Sequence, residues 1–159
     1  MTIKSSFIGG IISLLLAFIA QIPILPQNNL YLYFEIFTLN DVRFYYWGYL
    51  TEAGGFTPIL APFPENIMGF FIWMGILYIG ISSIMASTSK ANIYNSLILF
   101  KINLILLTGI TSILSLILIL VLFQNILLIF TTAGLGYWLL WIILISNVLG
   151  YRTTKKKEQ

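Results

Sequence analysis

Four stretches of the chain are long and apolar enough to cross a lipid bilayer, and they restrict the fold more than any other feature of the sequence. A helix needs roughly 20 apolar residues to cross a hydrocarbon layer about 30 Å thick. The stretches that meet this requirement cover residues 7–25, 67–86, 97–123 and 126–150. We therefore predict an all-α membrane protein, in which residues 1–159 form one domain, a left-handed bundle of four transmembrane helices.

The composition excludes several classes of protein. Only 8% of the residues are charged, whereas a soluble domain carries about 25%. The chain has no cysteine and no histidine, so it lacks disulfides, thiolate nucleophiles and the usual ligands of metals and haem. We expect no cofactor and no metal, and the absence of a recognisable catalytic set predicts a protein that is not an enzyme.

The basic residues indicate how the four spans are oriented. Lys4, Lys90 and Lys101 fall on one side of the predicted membrane, together with the tail residues Arg152, Lys155, Lys156 and Lys157. Because lysine and arginine are enriched in cytoplasmic segments, both termini and the tail 151–159 are predicted to lie in the cytoplasm of a multi-pass cell-membrane protein. We attribute the net charge of +3 to basic residues that orient the spans and contact anionic lipid head groups, and we expect no nucleic-acid partner.

Two further interpretations concern the ends of the spans. The loop 27–66 and the pair Gln124–Asn125 are predicted to lie outside, the latter as a tight turn between helices three and four. A cleaved signal peptide is the alternative for the first span. We favour an uncleaved helix because Phe18 and Leu15 stand where a small residue would be required before cleavage.

The long external loop predicts a small β-rich cap. Residues 30–37 and 42–50 are rich in aromatic and β-branched side chains, and Leu39–Asp41 between them supplies a turn. The loop holds four of the five acidic residues, with Arg43 as its single cation. We expect Arg43 to pair across the hairpin with Glu35 or Glu52, and Asn66 or Glu65 to cap the second helix.

The cap also carries the candidate partner-binding residues, which are Arg43, Tyr45, Tyr46, Trp47 and Tyr49. Arginine, tyrosine and tryptophan dominate the energetics of protein interfaces. The leading functional hypothesis is a non-enzymatic protein whose cap binds a membrane or surface protein, in adhesion or as an accessory subunit. Membrane lipid is the other expected partner.

The alternative is a small transporter, channel or lipid-handling protein with a polar cavity between its helices. Gln21, Lys101, Asn103 and Asn147 would line that cavity. The competing interpretations are that the asparagines tie helices together and that Lys101 extends to the membrane interface.

Small residues recur at four-residue spacing in several spans, as in Gly9, Ser13 and Ala17 of the first. This pattern lets helix backbones approach closely. Packing within one bundle is favoured, and a homo-oligomer is the alternative.

The segment YYWGYL places Trp47, Gly48 and Leu50 in the first external loop of this four-span plan. In this respect the chain resembles the claudin and peripheral-myelin-protein group of tetraspan proteins. The resemblance implies cytoplasmic termini, a strand-forming first external loop and a role in adhesion. The second loop tryptophan and the cysteine pair of that group are absent, so its disulfide cannot form.

Overall fold

The structure is a computed structural model that describes residues 4–25, 27, 30–39, 41–51, 55–59, 66–88, 92–121, 123, 128 and 132–158. The described residues form four α-helices and six short strands. In chain order these are α1 (Lys4–Phe18), β1 (Gln21–Leu25), β2 (Leu30–Tyr33), β3 (Phe37–Leu39), β4 (Val42–Tyr45), β5 (Gly48–Leu50), β6 (Phe56–Pro58), α2 (Ile67–Ser87), α3 (Ile93–Val121) and α4 (Leu135–Glu158).

The helices pack as an up-and-down bundle in which neighbours run antiparallel. α1 and α3 each lie between α2 and α4. Two serines tie α1 to both of its neighbours: Ser13 Oγ donates to the Ile76 carbonyl of α2 at 2.7 Å, and Ser6 Oγ donates to the Ser146 carbonyl of α4 at 2.8 Å. Such bonds fix the helices in a medium where no hydrophobic effect drives them together.

The two ends of the bundle differ in charge. One end, called the basic end here, holds the start of α1, the end of α2, the start of α3 and the end of α4. It gathers Lys4, Lys101 and the α4 residues Arg152, Lys155, Lys156 and Lys157. The opposite end, called the cap end, carries the strands and Arg43. Lys90 lies outside the described residues.

The bundle has an apolar core that includes Leu16, Ile76 and Leu140, but it also buries polar side chains and exposes large apolar ones. Asn103 and Asn147 are fully buried, whereas Phe71 is 66% exposed and Ile105 is 73% exposed. In water this surface would be a large unprotected apolar patch. In hydrocarbon it is matched to its surroundings, and the interior is free to use small and polar residues for contact between helices.

Three helices, α2, α3 and α4, are long and apolar enough to span a membrane by their length and composition. This supports the predicted membrane-embedded bundle. The first helix is shorter than predicted. α1 has 15 residues, which extend about 22 Å at 1.5 Å per residue.

The observed bounds depart from the predicted spans at two places. α1 ends at Phe18 rather than near residue 25, because residues 21–25 pair as a strand and contain Pro23, which is excluded from a helix interior. α4 begins at Leu135 rather than near residue 126, and it continues through the predicted tail to Glu158. The segment 122–134 therefore separates α3 from α4, and the predicted turn at Gln124–Asn125 lies outside the described residues.

The predicted β-rich cap is present, with more strands than expected. β1 and β2 form a two-stranded hairpin, and β3 to β6 form a four-stranded antiparallel meander. Each predicted strand divides in two, because the chain turns toward the helices at residues 34–36 and turns again at Tyr46–Trp47. Asp41 lies in the predicted turn with φ of 65°, a conformation that aspartate tolerates.

Gly10 provides a test of close packing between α1 and α2. A Cβ atom at Gly10 would lie 2.9 Å from the Gly80 carbonyl oxygen and 3.1 Å from the Ile84 nitrogen. These are backbone atoms that cannot rotate away, so Gly10→Ala should force the helices apart and lower stability by about 1–3 kcal/mol.

The matched control is Gly109→Ala in α3, where a Cβ atom would meet nothing within 4 Å. Alanine favours a helix over glycine by up to about 1 kcal/mol, so this variant should be as stable as the parent or more so. Unfolding of both variants by SDS in detergent micelles measures the difference. Equal midpoints for the two variants would contradict close packing at Gly10.

Candidate functional site: the cap end of the bundle

The cap is fastened to the start of α4 by backbone hydrogen bonds. The Gly134 N–H donates to the Ile36 carbonyl at 2.9 Å, and the Gly136 N–H donates to the Glu35 carbonyl at 2.8 Å. Tyr46 adds a side-chain bond from its hydroxyl to the Gly136 carbonyl at 3.2 Å. A side chain at either glycine would collide with the segment 34–35, so these glycines let the cap lie directly on the helix.

Arg43 occupies the centre of the cap's polar cluster. Its guanidinium carbon lies 4.0 Å from the centroid of the Tyr33 ring, within range of a cation–π interaction. Its Nη1 atom lies 3.8 Å from Glu35 Oε2, so the predicted pairing with Glu35 is present. Glu52, the alternative partner, lies outside the described residues.

Burial controls the ionisation of this cluster. It raises the pKa of Glu35, and the Arg43 charge offsets the rise only in part because 3.8 Å is too long for a hydrogen bond. Burial also raises the pKa of Tyr45 to about 12, with a further contribution from the nearby Glu35 carboxylate. The pKa of Tyr46 is raised by burial and by the neighbouring Tyr137. Both tyrosines are therefore neutral hydrogen-bonding groups.

Unpaired polar atoms are concentrated in the cap. Among the described residues, the buried side-chain atoms without a hydrogen-bond partner are Glu35 Oε2, Tyr45 Oη and Trp47 Nε1. Each such atom costs about 1–3 kcal/mol. No described side chain of the four helices has this defect. Groups left at such a cost are typical of functional sites.

The structure divides the five predicted partner-binding residues into two groups. The Arg43 side chain is 38% exposed, and Trp47 and Tyr49 are half-buried. Tyr45 and Tyr46 are only 4% and 1% exposed, so they support the cap from within and present no surface to a partner. The sequence alone could not distinguish the buried from the half-buried aromatic residues, because all four are of similar type and lie within residues 45–49.

Aromatic packing fixes the rings of Trp47 and Tyr49, and a cavity lies beneath the sheet. The ring centroids of Trp47 and Phe56 lie 4.2 Å apart, and those of Phe44 and Tyr49 lie 6.1 Å apart. A cavity of about 360 Å³ lies between this sheet and the helices. Its lining includes Ile36, Phe44, Tyr46, Tyr49, Asn66 and Ile72. No pattern in the sequence predicts this cavity.

The four residues of the predicted polar cavity are not brought together. Asn103 Nδ2 donates to Asn147 Oδ1 at 3.1 Å, so the predicted contact between these two residues is present. Lys101 is exposed on the outside of α3, and Gln21 lies in β1 at the opposite end of the bundle.

The two asparagines form a buried network with Ser82 and Ser83 of α2. Ser82 Oγ donates to Asn103 Oδ1 at 2.6 Å, and Ser83 Oγ donates to Asn147 Oδ1 at 2.8 Å. Asn103 Nδ2 also donates to Ser83 Oγ at 3.0 Å, and Asn147 Nδ2 donates to the Ile143 carbonyl at 3.0 Å. Both amide oxygens and both amide nitrogens are thus engaged, and α2, α3 and α4 are joined. The adjacent serines in an apolar span were the signal for this network in the sequence.

No protein family matches the chain, and no curated protein and no solved structure matches it at a significant level. The resemblance to claudins therefore stays a prediction based on YYWGYL and topology. Within the part of the chain that the structure describes, no three acidic, histidine or cysteine side chains are grouped as metal ligands.

Removal of the network should loosen the bundle. Asn103→Leu leaves Ser82, Ser83 and Asn147 without their shared partner, and we expect a loss of about 1 kcal/mol, the usual scale for such bonds between membrane helices. Asn95→Leu is the control, since Asn95 is exposed near the start of the same helix. SDS unfolding should separate the two variants. A midpoint for Asn103→Leu equal to that of the control would show that the network does not hold the helices.

The raised pKa of Glu35 predicts the sign of a pH effect on stability. Between its ordinary value of 4.5 and its folded value, the folded state binds more protons than the unfolded state. The penalty from Glu35 is therefore absent below pH 4.5 and grows as pH rises through the folded pKa. We expect Glu35→Gln to be more stable than the parent at pH 8, and this advantage should vanish towards pH 4. Unfolding curves of Glu35→Gln and the parent, measured from pH 8 to pH 4, test this prediction. A stability advantage of Glu35→Gln that grew at acidic pH would contradict it.

Proposed function

We propose that the chain is a non-enzymatic four-span membrane protein whose external cap recognises another protein, as an accessory subunit of a membrane complex or in adhesion. The observation that carries the proposal is the placement of Arg43. Its guanidinium is held over Tyr33 and beside Glu35 while 38% of the side chain remains exposed. An exposed arginine oriented in this way is the type of residue that dominates protein interfaces.

Preorganisation of Arg43 favours binding energetically. A free arginine side chain loses up to about 2 kcal/mol of rotamer entropy when it is immobilised. In the cap, Tyr33 and Glu35 already restrict it, so that cost is largely met before a partner arrives. Glu35 Oε2 has no hydrogen-bond partner and lies 3.8 Å from Arg43 Nη1, so this pair is not hydrogen-bonded and a carboxylate or carbonyl group of the partner could bond the guanidinium there.

Trp47 would extend the contact surface from the turn that joins β4 to β5. Its indole is braced by Phe56, so little freedom remains to be lost on binding. Tyr49 pairs with Phe44, which puts it on the opposite face of the sheet from Arg43, where it lines the cavity. The proposed interface therefore consists of Arg43 and Trp47, on a sheet that is hydrogen-bonded to α4.

The proposed orientation follows from the charge difference between the two ends. The basic end gathers the described lysines, whereas the cap end carries Glu35, Asp41 and one arginine. Positive residues favour the cytoplasmic side, so the cap would lie outside and both termini inside. The antiparallel packing of α1 against both α2 and α4 is consistent with α1 as the fourth span.

A second candidate function is the binding of a small apolar ligand beneath the cap. The cavity of about 360 Å³ falls within the range of about 300–1,000 Å³ that is typical of ligand pockets. Its lining combines aromatic and aliphatic side chains, with Asn66 among its polar groups. This candidate differs from the predicted polar cavity, because the Asn103–Asn147 network lies in the helical interior and its amide groups are already engaged.

Site-specific photo-cross-linking in intact membranes tests the proposal. A photoreactive amino acid at position 47 should give one discrete protein adduct, and Arg43→Ala should reduce its yield because the oriented cation is lost. The same probe at position 94 is the control, since Tyr94 is an exposed aromatic residue at the basic end, with 65% of its surface accessible.

The outcomes separate the candidate functions. A cap adduct that needs Arg43, with no such adduct from position 94, supports protein recognition. Adducts only with lipid or another small molecule would favour the cavity instead. Equal adducts from both ends, unaffected by Arg43→Ala, would overturn the proposed interface.

A further inference from the structure

The β1–β2 hairpin has one wholly aliphatic face that no described part of the protein covers. Ile22 pairs with Leu32 and Leu25 pairs with Leu30, which puts these four side chains on the same face of the ribbon. They are 39–51% exposed. Ile24, at the irregularity in β1, is 53% exposed. Such a surface on a two-stranded ribbon requires an apolar environment.

The other face of the hairpin is turned toward the cap. Tyr31 and Tyr33 lie on it, with ring centroids 6.2 Å apart, and Tyr33 packs beneath the Arg43 guanidinium at 4.0 Å. In β2 the tyrosines are half-buried and the leucines are exposed. β2 is therefore oriented, with its tyrosines toward the cap and its leucines outward, whereas all five residues of β1 are exposed.

The contacts of α1 with α2 show where the first helix ends. The end of α1 is at the level of Trp73, whose Nε1 donates to the Ala17 carbonyl at 2.9 Å and whose ring packs edge-on against Phe18. Trp73 is six residues after the first residue of α2, Ile67, which corresponds to about 9 Å along the helix axis. α1 therefore ends alongside the first two turns of α2, whose exposed side chains include Ile67 and Phe71.

The end of α1 is also satisfied by the protein itself. Besides the bond from Trp73, the Ala20 carbonyl accepts the Phe34 N–H at 2.8 Å, and the Leu15 carbonyl accepts the Ile19 N–H at 2.8 Å. A helix that ends in water can leave its last carbonyls to solvent, but one that ends in hydrocarbon cannot.

The chain that forms α1 and the hairpin is uncharged after Lys4. No charged residue occurs between Lys4 and Glu35. α1 alone extends about 22 Å, about 8 Å less than the hydrocarbon layer of a bilayer. The uncharged chain that follows α1 is the hairpin itself.

We infer that the β1–β2 hairpin inserts into the leaflet at the cap end and completes the span that α1 begins. Its aliphatic face contacts lipid acyl chains at the boundary with the head groups. The free edges of the ribbon are satisfied there by head groups and interfacial water. This inference is independent of any partner of the cap.

Single-cysteine labelling tests the inference directly, because the natural chain has no cysteine. Ile24→Cys and Leu32→Cys place a thiol on the aliphatic face, and both side chains are exposed enough to be replaced without damage to the core. Gly55→Cys is the matched control, since it lies exposed at the same end of the protein and its Cβ atom has room. Because all three positions lie at the same end of the protein, the orientation in which the protein inserts into the vesicles affects all three probes equally. Circular dichroism checks that each variant folds.

The full chain is reconstituted into phosphatidylcholine–phosphatidylglycerol vesicles. A charged, membrane-impermeant maleimide should react with positions 24 and 32 at least about tenfold more slowly than with position 55, because an apolar environment suppresses the thiolate. A bimane label at 24 and 32 should be quenched by lipids brominated near the head group, and a label at 55 should not. Reaction as fast as at position 55, without quenching by lipid, overturns the inference. Protection from both reagents would also overturn it, since protein would then cover the face.

Discussion

In a bilayer, a polar group of the chain must find its partner within the protein, and the architecture described above depends on this constraint. The Ser13 hydroxyl, the Trp73 indole and the Asn103 amide each bond across a helix boundary. Each contact satisfies a group that lipid could not, and each fixes the position of one helix against the next. Apolar side chains form the core between the helices, and others face outward where a soluble protein would place polar groups.

The cap follows the opposite rule, and the contrast gives the molecule two physically different halves. Among the residues that the structure describes, the buried polar side chains of the helices are satisfied, whereas three buried polar atoms of the cap have no hydrogen-bond partner. A loop outside the hydrocarbon can tolerate such groups because water and partners are near. The stability of the bundle therefore provides a fixed base for a cap that is less completely satisfied, an arrangement suited to recognition.

The sequence predicted the parts of the fold that are set by composition over long windows. α2 and α3 lie close to the predicted spans because long apolar runs favour a helix in hydrocarbon, and the cap forms strands because its residues are aromatic and β-branched. The end of α1 was missed, since the residues of β1 are as apolar as those of the helix and only pairing with β2 distinguishes them. The start of α4 was missed for a similar reason: Gly134 is committed to the cap by a hydrogen bond to a residue far away in sequence.

The sequence predicted which segment forms the candidate site, but not which side chains of that segment face outward. The sequence identified Arg43 and its aromatic neighbours, but the burial of Tyr45 and Tyr46 is decided by the way the sheet sits on the helices. The bond from Tyr46 to Gly136 links residues 90 positions apart, and no local pattern encodes it. The same holds for the cavity, whose walls come from the cap and from α2.

That long separation has a consequence for biogenesis. The cap strands are synthesised early, but the backbone groups of Gly134 and Gly136 on which they rest belong to the last helix. Until α4 is in place, the carbonyls of Glu35 and Ile36 lack their hydrogen-bond donors, so the cap can complete its structure only after residues 134–136 have been synthesised. Completion of the cap therefore depends on the correct placement of α4.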